Sequence, residues 1–291
     1  MTAPVTTTDG TRLFVRRWPA PGDAWGTVQI VHGLGEHIGR YAALAEALNA
    51  AGWHVLGHDH RGHGQSGGAR GAIPSADSLL TDLAAVMDTH RTRSGRHVLL
   101  GHSMGGLVAA RFVAEGLNEA PARWFREIDG LVLSSPALDP GMNPLQKLLL
   151  ALLGPLAPDL SLGNGLKPAW ISRDPAVVQA YTADPLVHDR ITPRLVRFIV
   201  DGGQAALAAA PRWTTPTLLM WAGADRCVSP KGSEQFAAAA RPAFLTPRPF
   251  GAMFHEIFNE PERAEVVAQL IRWLTRLDSV SPVPPPRPPK A

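Results

Sequence analysis

The segment Gly101-His102-Ser103-Met104-Gly105 sets a serine between two glycines in the pattern G-x-S-x-G. It closes the compact apolar run RHVLLGHS and opens a helix-forming stretch, Met104 to Glu115. In that context the serine is expected on a sharp strand-to-helix turn. Its hydroxyl is pushed out above the sheet, and the N–H groups of the helix start face the same spot. Glycine is expected on both sides because strand and helix pass too close for side chains. The chemistry this suits is nucleophilic attack. A lone serine hydroxyl is a weak nucleophile, however, and needs a base, an orienting acid and an oxyanion site. A purely structural turn would keep the glycines and need no base elsewhere.

Eleven histidines are candidates for that base. One known chain order for such a triad is serine, acid, histidine. Asp225 follows the apolar run TLLMWAGA, and the only histidine after it is His255, in GAMFHEIFNE. Ser103, Asp225 and His255 are therefore the expected triad. The oxyanion site is expected from the backbone N–H groups of Met104, next to the serine, and Leu34, in VHGLGEH, where flanking glycines free the backbone. His58, His60 and His63 crowd into HDHRGHGQSGG, a pattern compatible with metal ligation. The favoured reading is a tight loop with histidines bonded to its neighbours, and no metal is expected. Asp59 ends a strand-like run too, but it precedes the serine and breaks the order. Cys227, two residues past the acid, reads either as a small packed hydrophobe or as a thiol near the site.

These residues need a scaffold that brings chain segments far apart in sequence to one edge. Apolar runs at TVQIVHG, WHVLGHDHRG, RHVLLGHS, DGLVLSSP and TLLMWAGAD, with weaker ones at TRLFVRRW and AFLTPRPFGA, read as strands. Helical stretches fall between them, at Tyr41 to Ala51, Asp77 to His90, Met104 to Glu115 and Pro261 to Leu277. Alternation of this kind predicts an α/β fold with a mostly parallel sheet covered on both faces. Ligands in such folds sit at the carboxyl ends of the strands, where the glycine-rich and polar clusters here lie. The alternation stops at 137–210, which is rich in leucine and proline and has no convincing strand. The expected organisation is a first core part at 1–136, a mainly helical cap insertion at 137–210 and a second core part at 211–277. A proline-rich, disordered tail is expected at 278–291. With 45% hydrophobic residues over 291, a large buried core is expected. Net charge is only +3, with the arginines dispersed, which excludes a nucleic-acid footprint. A single cysteine excludes an internal disulfide. The N-terminus lacks an apolar signal region, and the longest apolar run, LLLALLGPLAP, is too short to span a bilayer, so the expected location is cytoplasmic.

Taken together, VHGLGEHIGRY, HDHRGHGQSGG, LLGHSMGG, GADR and FHEIFNE, in this order and spacing, resemble the monoacylglycerol lipase and lysophospholipase group of α/β hydrolases. The resemblance runs from about Thr11 to Leu277, and PDLSLGNGL and ISRDPAVVQAYTADPLVH also look like the cap of monoacylglycerol lipases. It implies the α/β-hydrolase fold, the same triad and oxyanion residues, and no cofactor. It further implies that Glu36, Arg40, Tyr41 and His102 lie near the glycerol headgroup. The sequence departs from the pattern at Ile38, where the family often has serine, so the polar end of the pocket is expected to differ. The implied activity is hydrolysis of a small lipid ester, a monoacylglycerol first. Lysophospholipase or general carboxylesterase activity and a catalytically silent binding protein are the alternatives. The cap leucines are expected to line an acyl tunnel and to touch a membrane surface transiently.

Overall fold

A computed structural model describes residues 3–90 and 95–279. Among the described residues the strands are β1 (Val5–Thr6), β2 (Arg12–Leu13), β3 (Val15–Trp18), β4 (Gly26–Val31), β5 (Trp53–His58), β6 (Arg96–His102), β7 (Gly130–Ser134), β8 (Leu162–Gly163), β9 (Arg190–Ile191), β10 (Thr217–Ala222) and β11 (Leu245–Phe250). The α-helices are α1 (Ala42–Ala50), α2 (Ser78–His90), α3 (Met104–Glu115), α4 (Pro144–Leu156), α5 (Pro175–Ala183), α6 (Pro193–Ala209), α7 (Pro230–Ala239) and α8 (Arg263–Ser279). Seven strands form one sheet in the order β11-β10-β7-β6-β4-β5-β3. Every pairing in it is parallel except that of β3 with β5. This is the α/β-hydrolase fold that the sequence implies.

Both faces of the sheet are dry. Along β6, Val98 and Leu100 point into a cluster with Leu44 and Leu48 of α1 and Leu270 and Leu274 of α8. Leu99, between them, points the other way, into a cluster with Leu83 of α2, Phe112 of α3 and Phe236 of α7. Successive side chains of a strand face opposite sides, so a sheet buried on both faces needs apolar residues at consecutive positions. That is why RHVLLGH reads as a continuous run. Each leucine fully buried in this way stabilises the fold by roughly 1.5–3 kcal/mol relative to exposure.

Between β7 and β10 the chain leaves the sheet and forms α4, the β8–β9 ribbon, α5 and α6. Two of these helices carry clear start signals. Asp174 accepts from Ala176 N–H before Pro175, and Thr192 accepts from Leu195 N–H before Pro193, so each helix has a side-chain cap and proline at its first position. α6 packs along α3, with Leu195, Phe198 and Ile199 entering the same core as Phe112. α4 is different: Leu145, Leu148, Leu149, Leu152 and Leu156 are all exposed. The short β8–β9 ribbon has no counterpart among the strands expected from the sequence. α8 runs to Ser279, two residues past the expected end, and the rest of the expected tail lies outside the described residues.

Candidate active site

Ser103 joins β6 to α3 with φ 53° and ψ −122°, in the left-handed region that non-glycine residues rarely enter. The turn is held by Ser103 N–H donating to Ser134 O at 3.0 Å. The flanking glycines answer to close approach. A Cβ at Gly101 would come within 2.4 Å of Gly105 O, and one at Gly105 within 2.0 Å of Val31 O. Strand β6, helix α3 and the end of β4 thus cross at distances that only glycine permits, and the serine is what projects.

The loop after β11 brings His255 to this serine. His255 Nε2 lies 2.8 Å from Ser103 Oγ, and its Nδ1 lies 2.7 Å from Asp225 Oδ2, in the turn after β10. Asp225 Oδ1 also accepts from the N–H groups of Cys227 and Val228 at 2.8 and 3.1 Å, which fixes the carboxylate's direction. An ionised carboxylate only accepts, so Nδ1–H donates to Asp225 and the Nε2 lone pair faces the serine hydroxyl. Burial works to raise the Asp225 carboxyl. The His255 ring and the two backbone donors outweigh it and hold the group below its ordinary value. For His255 burial works downward, and the charges of Asp225, Glu256 and Glu36 outweigh it, so the imidazole sits above its ordinary value of 6.5.

Ser103 stands where two cavities meet. One, of about 560 Å³, runs beneath α4 and is lined by Leu149, Leu150, Trp170, Val196 and Ile199, with Leu34 and Met104 beside the serine. The other, of about 410 Å³, has Glu36, His102, Tyr181, Asp184, His188 and Glu256 on its walls. The first is lined mainly by apolar side chains, two of them from the leucine helix. The second is the more polar of the two: four carboxylates stand among apolar side chains such as Leu166, Ile171 and Val187, with Lys167 as the one Lys or Arg side chain on its wall.

Of the four residues that the resemblance assigns to a headgroup, two reach the polar cavity and two stand behind it. Glu36 and His102 are on its wall. His102 is buried, bonded through Nδ1 to Ser134 O, and its ring lies 4.8 Å from that of His255. Burial and the neighbouring His255 push it down to about 4, so it is a neutral imidazole. Arg40 and Tyr41 line neither cavity: their polar atoms bond Glu36 and Glu256. Ile38 does not touch the pocket either. It fills the core, and its Cδ1 lies 2.2 Å from where a Gly57 Cβ would be, so the departure at this position alters packing rather than the polar end of the site.

Five of the other nine histidines form a chain of their own, which reaches the polar cavity at His188. His58, His60, His32, His63 and His188 stack in a chain of neighbouring rings with centroids 4.4–5.5 Å apart. Among the described residues, the one group with metal-compatible spacing is Asp225, Cys227 and His255, two of which are the residues hydrogen-bonded in line with Ser103. Asp59 accepts from Ile38 N–H and Gln65 N–H at 2.8 and 2.7 Å and ties two loops together, away from the serine. Sequence reasoning missed Glu256 and Tyr181. Glu256 was visible as the neighbour of the base. Tyr181 enters from α5, and nothing in its local sequence pointed to the site.

The chain is similar along its length to known proteins. The family model described as serine aminopeptidase, S33, matches residues 22–262. A monoacylglycerol lipase of Mycolicibacterium smegmatis is 33% identical over 91% of this chain and 93% of its own. An abhydrolase domain-containing protein of Dictyostelium discoideum is 32% identical over 92% of this chain, which spans only 28% of that protein's length. The crystal structure of a monoacylglycerol lipase from Paleococcus ferrophilus superposes with a TM-score of 0.81 at 35% identity, covering 91% of this chain and 99% of that one. The protein belongs to the S33 serine aminopeptidase family, within the α/β hydrolases.

Proposed function

We propose that the protein is a serine ester hydrolase that cleaves monoacylglycerols to fatty acid and glycerol. The observation that carries this reading is the meeting of an apolar and a polar cavity at one serine with a base and an acid in line. The acyl chain lies in the cavity beneath α4, where each buried methylene adds roughly 0.8 kcal/mol. The glycerol end lies in the polar cavity. His255 takes the Ser103 proton as Oγ attacks the ester carbonyl, and the N–H groups of Leu34 and Met104 receive the oxyanion. The imidazolium then gives its proton to the departing glycerol oxygen. Water, activated by the same histidine, releases the fatty acid from Ser103. The chemistry uses protein groups and water alone.

The chain from 137 to 210 acts as the cap over both cavities. The exposed leucines of α4 favour brief contact with a lipid surface, since an apolar patch at a cavity mouth marks an interaction site. Among the described residues no helix is long and apolar enough to cross a membrane.

The polar cavity also bears on the rival substrate. Glu36 and Glu256, which share Arg40 behind the wall, stand there with Asp184 and Asp189, and Lys167 is the one Lys or Arg side chain on the wall itself. A phosphate headgroup would meet mostly carboxylates, whereas a neutral polyol can bond to them. The test is fatty-acid release from matched mono-, di- and triacylglycerols and lysophospholipids at equal concentration. Monoacylglycerol is expected to be cleaved fastest, diacylglycerol poorly and triacylglycerol hardly at all. Faster cleavage of the lysophospholipid would replace this reading with phospholipid hydrolysis.

A further inference from the structure

Behind the serine two buried carboxylates share one cation. Glu36 Oε1 accepts from Gly33 N–H at 2.6 Å and from the Tyr41 hydroxyl at 2.7 Å, which pins the loop that carries Leu34. Glu256 follows His255 directly in the chain. Its two oxygens take Arg40 Nη1 and Nη2 at 2.6 and 2.7 Å, and Asn259 Nδ2 donates to it at 2.8 Å. Arg40 Nη1 also reaches Glu36 Oε2 at 2.8 Å. One guanidinium therefore bonds to both loops, although Arg40 and Glu256 are 216 residues apart in the chain. The three side chains are only 5–11% exposed. A planar fork suits this position, because a guanidinium can satisfy two carboxylates in fixed directions and an ammonium cannot.

We propose that Glu36, Arg40 and Glu256 form a brace that locks the oxyanion loop against the histidine loop, with Arg40 and Glu256 as positioning residues for turnover of any ester. This rests on the reading of Ser103 as nucleophile. It differs from a headgroup contact, which would act on one leaving group only. The cap joins the same brace, because the Arg40 guanidinium lies 4.8 Å from the Tyr181 ring of α5 and Glu256 N–H donates to Ile171 O at 2.8 Å.

The brace has an electrostatic side. Two carboxylates against one guanidinium leave one negative charge in surplus beside the imidazole. The groups that face His255 are Asp225 and Cys227 after β10, His102 and Ser103 at the end of β6, Glu36 after β4, and Glu256 beside it. Of these the carboxylates favour the imidazolium that forms as the serine attacks.

The experiment measures kcat and KM for Glu256→Gln, Arg40→Lys and Arg40→Gln. The substrates are a monoacylglycerol and a nitrophenyl ester of the same chain, and thermal unfolding and fluorophosphonate labelling of Ser103 are followed alongside. Glu256→Gln is expected to lower kcat on both substrates on the order of 10- to 100-fold, as misplacement of reacting groups does. KM should stay within about twofold, labelling should slow in parallel, and the acid limb of kcat/KM should move to lower pH. Arg40→Lys should recover part of what Arg40→Gln loses, and it keeps the test alive if the neutral variant does not fold. A folded Glu256→Gln enzyme with unchanged kcat on both esters overturns the brace, as does a loss confined to the monoacylglycerol. Absence of label on Ser103 in the unaltered enzyme overturns the functional reading beneath it.

Discussion

At the scale of single residues, the imidazole carries the sharpest consequences. His255 accepts a proton only when neutral, and its environment holds it above 6.5. The kcat/KM profile should therefore fall on the acid side with a midpoint above 6.5, set by the free enzyme's histidine. Asp225→Asn removes the charge that orients and supports the ring. Turnover should drop on the order of 10³- to 10⁴-fold, and whatever activity remains should show an acid limb at lower pH. A pH-rate series on a soluble ester measures both. The hydrogen-bonded line of Ser103, His255 and Asp225 was legible in the sequence because each residue follows a strand-like run and the order leaves one histidine after Asp225. Arg40 and Tyr41 were not legible as brace residues. Their partners lie in distant loops, and motif position alone could not tell a side chain that faces substrate from one that bonds behind it.

Helices and strands were legible where their surroundings are uniform. α3 starts and ends where the sequence places it, because Ser103 fixes its first residue and both faces of the turn are packed. Elements whose pairing depends on distant loops were less clear. TRLFVRRW reads as one strand, yet it divides at Phe14, whose N–H donates to Ser66 Oγ and whose carbonyl accepts from Asp59 N–H. β11 holds Pro247 and Pro249 because it is an edge strand, where a missing N–H costs no ladder bond on its outer side. The leucines of α4 divide between cavity and solvent, with Leu149 reaching both. Leu150 and Leu149 line the apolar cavity, whereas Leu148 and Leu152 are outside it and 56% and 54% exposed. Leu148→Ser with Leu152→Ser should weaken vesicle sedimentation of the enzyme severalfold while leaving hydrolysis of a short soluble ester within about twofold, since surface changes of this kind shift stability by little. Equal loss in both assays would mean that α4 had unfolded instead.

The whole molecule carries an acid sensitivity built from its buried histidines. Burial pushes His58 and His102 down to about 4, and His60 to about 3. It also holds His188 near about 4 and His32 and His63 well below their ordinary value. In the unfolded chain each would take a proton near 6.5. Between that value and about 4 the unfolded state therefore binds more protons than the folded one, and stability is lost as pH falls, at about 1.4 kcal/mol per proton per pH unit. Two kinds of group act the other way. His255, raised in the fold, adds stability below 6.5, and burial raises the Asp59 and Asp82 carboxyls above 3.8. With His90, which burial also lowers, seven lowered imidazoles outnumber these three. The melting temperature should be nearly level from pH 8 to 7 and fall steeply from 6.5 to 4.5 by scanning calorimetry; a level profile across that range would mean that the histidine stack is open to water. At this scale the sequence disclosed the fold and the break in its alternation of strands and helices. It could not disclose two cavities that differ in their share of ionisable side chains, because they depend on how α4, α5 and α6 lie over the sheet's carboxyl edge. Everything above turns on Ser103, at the junction of those cavities, cleaving monoacylglycerol. Fatty-acid release from a monoacylglycerol, followed for the unaltered enzyme and for Ser103→Ala with circular dichroism as a check on folding, decides it. Rapid release is expected from the first, and a loss of at least about 10³-fold from the second with the fold intact. A folded Ser103→Ala enzyme that still releases fatty acid at a comparable rate would contradict the assignment.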